Sequence, residues 1–224
     1  MVAGLQTSFD FGKKQSYAEE DFVVTDCNRD AFEMVSIWPK WPSRLTAIYG
    51  ASGCGKTHLA NIWVKRSGGI LLSYQDILQI TPDELINISK YIAIDFEEII
   101  INEHNLFHLI NLINQVGGNL LVTSHDSPAR WPVTIADLKS RLRGITSVAI
   151  HNADEETLYA ITLKEFTERN IRIKPDVASY IISSLPDRTY HALHAVIARL
   201  DVNSLREHKN ITIPFVKRIL GAEH

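Results

Sequence analysis

Gly50-Ala-Ser-Gly-Cys-Gly-Lys56-Thr57 has the form G-x-x-x-x-G-K-T. It follows the apolar run Leu45-Thr-Ala-Ile-Tyr49 and precedes His58–Lys65, which reads as a helix. Strand, glycine loop and helix in that order make a phosphate cradle. Gly50, Gly53 and Gly55 let the backbone bend so that successive N–H groups face the phosphates. The helix N-terminus adds partial positive charge. Lys56 is placed to reach the β- and γ-phosphates, and the Thr57 hydroxyl to ligate Mg²⁺.

Working outward, the pattern predicts a parallel sheet covered by helices. Ile70–Tyr74, Tyr91–Asp95, Asn119–Ser124 and Ser147–Ile150 have strand length and strand composition. Asp76–Asn87 and Asn105–Val116 read as the helices between them. Strands alternating with helices give an α/β core. On the N-terminal side, Arg29–Trp38 has helical spacing with Asn28 or Asp26 as cap, stopped by Pro39 and Pro42. From about residue 151 the character changes. Glu155–Arg169, Pro175–Ser184, Asp187–Arg206 and Thr212–Leu220 are four candidate helices with no strand among them. The expected organisation is a polar, flexible tail over residues 1–20, an α/β nucleotide-binding domain over 21–151 and an all-helical lid over 152–224.

Composition bounds the class. The 224 residues are 45% hydrophobic and 22% charged, enough for a substantial core without staples. A net charge of −3 offers no global attraction to nucleic acid, and no Lys/Arg cluster marks a basic groove. Only Cys27 and Cys54 are present, and Cys54 sits inside the phosphate loop, where a disulfide would be out of place. A reducing, cytoplasmic setting is expected, with no membrane span and no signal peptide.

Three further groups carry chemistry. Asp95, an acid ending a buried strand, is the expected second half of the Mg²⁺ site. The next residue is Phe96, where many phosphate-loop ATPases carry a second acid to position the attacking water, so intrinsic hydrolysis is expected to be weak or absent. Ser124, at the carboxyl edge of its strand, is a candidate γ-phosphate sensor. Arg141 is either a surface arginine or a finger inserted into a neighbour's nucleotide site, and spacing alone leaves both open. In the tail, Gln6-Thr-Ser-Phe9-Asp-Phe11 has the form Q-x-x-Φ-x-Φ. Peptides of this kind dock aromatic anchors on a partner or fold back on their own domain, and the stretch alone leaves both readings open.

These residues, in this order, resemble the AAA+ ATPases of the bacterial replication-initiator family, DnaA, over about residues 21–220. The resemblance implies nucleotide contacts from Gly50, Ser52, Gly53, Cys54, Gly55, Lys56, Thr57 and His58, with Phe22 and Val23 beside the adenine. It implies ADP or ATP with Mg²⁺ on Thr57 and Asp95. The chain ends at His224 with no helix-turn-helix module, so sequence-specific DNA binding is not expected. That ending and the tail hexapeptide are similar to the Hda-type branch of the family. The branch implies docking on the β sliding clamp of DNA polymerase III through Gln6, Phe9 and Phe11. It also implies Arg141 acting as a finger in trans on ATP held by DnaA, which makes such a chain a negative regulator of replication initiation. Whether it forms a homodimer is left open. His191 aligns with the family's second-sensor arginine and Arg188 lies one turn earlier, so either is a candidate lid contact. The competing reading is a stand-alone phosphate-loop ATPase such as a helicase-loader relative.

Overall fold

The computed structural model describes residues 17–96 and 102–221. The chain enters through a 3₁₀ turn at Glu19–Asp21 and then forms α1 (Arg29–Ser36), β1 (Leu45–Gly50) and α2 (Lys56–Ser67). β2 (Ile70–Ser73), α3 (Tyr74–Gln79), α4 (Pro82–Ile88) and β3 (Tyr91–Asp95) follow. Then come α5 (Glu103–Val116), β4 (Asn119–Ser124), α6 (Ala136–Arg143) and β5 (Thr146–Ile150). The last four are α7 (Glu155–Glu168), α8 (Pro175–Ser183), α9 (Tyr190–Glu207) and α10 (Ile213–Leu220). The strands form one parallel sheet in the order β2-β3-β4-β1-β5, an α/β AAA+ arrangement.

The period of two in the strands sorts side chains onto the two faces. Ile92 and Ile94 of β3, with Leu120 and Val122 of β4, face α5 and α6, where Leu106, Leu109, Ile110, Ile113, Leu138 and Leu142 wait. Ala93, Leu121 and Ile48 face the other way, onto Ala31 and Val35 of α1 and Leu59, Ile62 and Trp63 of α2. Trp63 is fully buried and stacks on Trp41 with ring centroids 5.1 Å apart. A third core lies wholly within α7–α10, built on Leu158, Phe166, Ile181, Leu193, Ile197, Phe215 and Val216. Ala153 and Ile161 touch both this core and that of α1 and α2.

Three details differ from the sequence expectation. The stretch expected as one helix at 76–87 is two. Pro82 sits at the first turn of α4, and Thr81 and Glu84 close a capping box there, as Ser73 and Asp76 do for α3. A proline without an N–H is tolerated only at a helix start, so two boxes and a break replace a continuous helix. α6 was not foreseen; it is short, and only Leu138 and Leu142 on it are buried. The expected tail is in place from residue 17. Lys65 donates to the Tyr17 carbonyl at 3.1 Å, and Arg66 pairs with Glu19.

Phe96 explains itself in this setting. It is 1% exposed, edge-on to Trp131 at 5.0 Å and tilted against Tyr74 at 5.8 Å. Its N–H still donates to the Thr123 carbonyl at 2.8 Å, which carries the β3–β4 ladder past Asp95. Position 96 is therefore a core position. Phe96→Asp is expected to cost about 4 kcal/mol or more, because it leaves both a cavity and an unpaired buried charge. A urea unfolding series on the variant and the native chain measures it.

Candidate functional site

Parallel register brings the site together. Asp95 is the partner of Thr123, and Tyr49 that of Ser124, so β1, β3 and β4 end at one edge. Ligands of open parallel sheets bind at that carboxyl edge. The phosphate loop leaves β1 there and turns into α2. Gly53 and Gly55 have φ of +76° and +100°, a region that side chains rarely adopt. Gly50 has a different reason to be glycine. A Cβ on it would lie 2.6 Å from the Ile150 carbonyl, so it permits the close approach of β5.

Lys56 donates from Nζ to the carbonyls of Gly50 and Ala51, both at 2.8 Å. Its third donor has only a long contact, 3.9 Å, to Cys54 Sγ, a weak acceptor that an anion in the cradle would displace. Thr57 Oγ1 donates to Asp95 Oδ2 at 2.6 Å, and Thr123 Oγ1 to Asp95 Oδ1 at 2.5 Å. These oxygens are hard donors held in contact. They fit a Mg²⁺ ion that takes one carboxylate and a hydroxyl and completes its shell with phosphate and water. Among the described residues no cluster of three His, Cys, Asp or Glu side chains could hold a metal. Cys54 is buried, and burial pushes its thiol up, so it packs in the loop as a neutral group.

The wall beside Gly55, expected to face the adenine, is aromatic. The Phe22 ring would touch a Cβ on Gly55 at 2.9 Å, is stacked on Phe32 at 5.7 Å and meets His58 edge-on at 5.2 Å. His58 Nε2 lies 2.7 Å from the Ala18 carbonyl, and burial lowers its pKa. Asn28, expected as a helix cap, makes no capping bond. Its amide donates to the Val23 carbonyl and its oxygen accepts from Thr25 N–H, both at 2.9 Å, so it braces the Phe22–Val23 segment against the loop.

The remaining candidates distribute unevenly. Ser52 is exposed on the loop. Ser124 is fully buried and its hydroxyl donates to the Asp126 carbonyl at 2.7 Å; the hydroxyl turned onto Asp95 belongs to Thr123, which sequence reading passed over. Their opposite orientation follows from strand alternation. In the lid, the exposed Arg188 pairs with Glu155 at 3.0 Å. His191 is exposed at the start of α9, with its backbone N–H beside the loop: a Cβ on Gly53 would lie 3.6 Å from it. Among the described lid residues, the side chain that hydrogen-bonds the loop is His194, whose Nε2 lies 3.4 Å from the Gly53 carbonyl. Tyr190 anchors the same helix, its hydroxyl 3.1 Å from Cys27 Sγ. The signal for both was the four-residue spacing of Tyr190 and His194, which places them on one helix face.

Arg141 stands apart from this constellation. It is half-buried near the end of α6, its guanidinium 5.0 Å over the Phe107 ring of α5, with no ion pair among the described residues. α5 and α6 cover the sheet face opposite α2. Gln6, Phe9 and Phe11 lie outside the described residues.

Comparison with known proteins agrees with this geometry. The family model described as "Hda, lid domain" matches residues 154–220. An uncharacterized protein of Haemophilus influenzae is 30% identical over 192 residues, covering 78% of this chain and 80% of that protein. Domain III of the Thermotoga maritima replication initiation protein DnaA superposes with a TM-score of 0.76 at 21% identity, over 92% of this chain and 95% of that one. AMPPCP-bound DnaA from Aquifex aeolicus does so at 0.67 and 21%, over 85% of this chain and 66% of that one. The chain spans about half the length, 48%, of the curated DnaA initiators that it matches at 27% identity. A phosphate loop on a five-stranded parallel sheet, a helical lid of the Hda type and a relative matched over most of both lengths lead to one assignment: the chain belongs to the DnaA-related, Hda-type family of AAA+ proteins.

Proposed function

We propose that this chain is a nucleotide-dependent negative regulator of chromosomal replication initiation. It holds ADP or ATP with Mg²⁺ in its own phosphate loop and supplies Arg141 to ATP bound on the initiator DnaA. The observation that carries the reading is the contrast between the two sets of groups. Lys56, Thr57, Asp95 and Thr123 converge, whereas Arg141 is held by an aromatic ring on the other face of the sheet, without a carboxylate partner among the described residues. A guanidinium that is positioned but electrostatically unpaired suits insertion beside another molecule's phosphates.

Within its own site the chain's residues bind and orient. Lys56 and the loop N–H groups would neutralise phosphate oxygens, and Thr57 with Asp95 would hold Mg²⁺, which would supply further positive charge to the phosphates. Phe22 closes the base side. Thr123 fixes the Asp95 carboxylate. With Phe96 buried in the core, no carboxylate at that position positions a water, which argues against a stand-alone ATPase. Docking on the β sliding clamp through Gln6, Phe9 and Phe11 would raise the local concentration of Arg141 near the initiator.

Hydrolysis of initiator-bound ATP, measured with DNA-loaded clamp, tests the reading. Arg141→Ala is expected to reduce stimulation roughly a thousandfold while nucleotide binding and clamp capture persist. Full stimulation by that variant removes the finger. Replacing Gln6 and Phe9 together by Ala is expected to abolish clamp pull-down and leave nucleotide affinity unchanged; undiminished capture sinks the tail assignment.

A further inference from the structure

Both ring nitrogens of His194 face acceptors. Nδ1 meets the Glu165 carboxylate, and Nε2 lies 3.4 Å from the Gly53 carbonyl. An ionised carboxylate and a carbonyl only accept, so both bonds form together only on a doubly protonated ring. Glu165 is braced from behind by Arg169 at 2.9 Å, and Arg169 reaches Asp201 at 3.4 Å. The contact thus joins α7, α9 and the phosphate loop. It is also close-packed, since a Cβ on Gly53 would meet both the His194 ring and Tyr190 at 3.3 Å.

Peptide geometry gives the contact a consequence. In a trans peptide the C=O and the following N–H point in opposite directions. Drawing the Gly53 carbonyl to the lid therefore turns the Cys54 N–H inward. There it has only a long bond, 3.4 Å, to the Ala51 carbonyl, and remains available to a phosphate oxygen. We infer that His194 is a positioning residue of the nucleotide site: as an imidazolium it clasps the Gly53 carbonyl, aims the Cys54 N–H into the cradle and makes nucleotide affinity depend on pH. The inference rests on the nucleotide reading above.

The charges around the ring set the direction. The hydrogen bond to Glu165 raises the His194 imidazole, against burial and the nearby Arg169 guanidinium. Burial pushes the Glu165 carboxyl up, but His194 and Arg169 outweigh it and hold the carboxyl below its ordinary value. On the loop side Lys56 turns to the carbonyls of Gly50 and Ala51, and the Cys54 thiol is neutral. His191, one turn earlier on α9, is exposed. A raised imidazole contributes fully below the ordinary histidine value and loses its contribution as pH rises through its folded value. A depressed carboxylate fails only as pH falls through its own lowered value, so the clasp opens on the alkaline side, as pH rises through the raised histidine value.

Binding of a fluorescent ADP analogue from about pH 6 to about pH 9 tests this on the full chain. Affinity of the native chain is expected to fall roughly fivefold across the range, the loss of one partly exposed charge-assisted bond. His194→Gln is expected to bind weakly and without pH dependence, and His194→Arg tightly and without pH dependence. Glu165→Gln should move the midpoint down. Thermal unfolding at low pH checks that each variant is folded. A native pH profile in folded His194→Gln overturns the clasp, and His58 is then the titrating group to examine. Absence of binding by the native chain at any pH overturns the nucleotide reading and the clasp with it.

Discussion

A hydroxyl at the start of α2 and a carboxylate at the end of β3 meet at 2.6 Å, and a second hydroxyl from β4 closes on the same carboxylate at 2.5 Å. The three residues are far apart in sequence, and no local propensity brings them together. What does is the register of the parallel sheet, in which Asp95 lies opposite Thr123 and the phosphate loop leaves the neighbouring strand. A slip by one residue would send each strand's core face to the wrong side of the sheet. The apolar alternation of Ile92, Ala93 and Ile94 therefore fixes the nucleotide site as firmly as the site residues do.

The same logic explains the residue that follows Asp95. Position 96 continues the β3–β4 ladder and directs its side chain among Trp131 and Tyr74. A carboxylate there would have to leave an apolar wall, which is possible only if the segment after β3 took another course. The aromatic cluster and a water-positioning acid are alternatives for one position. The chain has the cluster, which ties the sheet edge to the segment between β4 and α6.

Much of this was legible in the sequence because it rests on local chemistry. The glycine loop, the terminal acid of β3, the five strands and the four lid helices follow from turn residues and periodicity. Two capping boxes hid behind a helical pattern that runs through Pro82, and α6 presents too few apolar residues to show its period. Ser124 and Thr123 are adjacent hydroxyls at the same strand end, and only register tells which one meets Asp95. In the lid, alignment with the family points to Arg188 and His191. Arg188 pairs with Glu155, His191 brings its backbone N–H beside the loop, and the side chain that hydrogen-bonds the loop is that of His194, whose partner Glu165 lies on a different helix. A buried acid on an apolar helix face is the sequence sign of such a pairing, but its partner becomes visible only when the helices are packed.

The placement of the cations then orders the whole chain. Lys56 and His194 both turn onto backbone carbonyls of the phosphate loop, the first from within it and the second from the lid. Each holds a peptide group and so sets where the loop N–H groups aim. Arg141 has no such duty. Its guanidinium rests on a neutral ring, which fixes its direction by cation–π attraction without neutralising its charge. The cations at the chain's own site are therefore committed to internal acceptors, whereas the arginine on the opposite face has no carboxylate partner among the described residues.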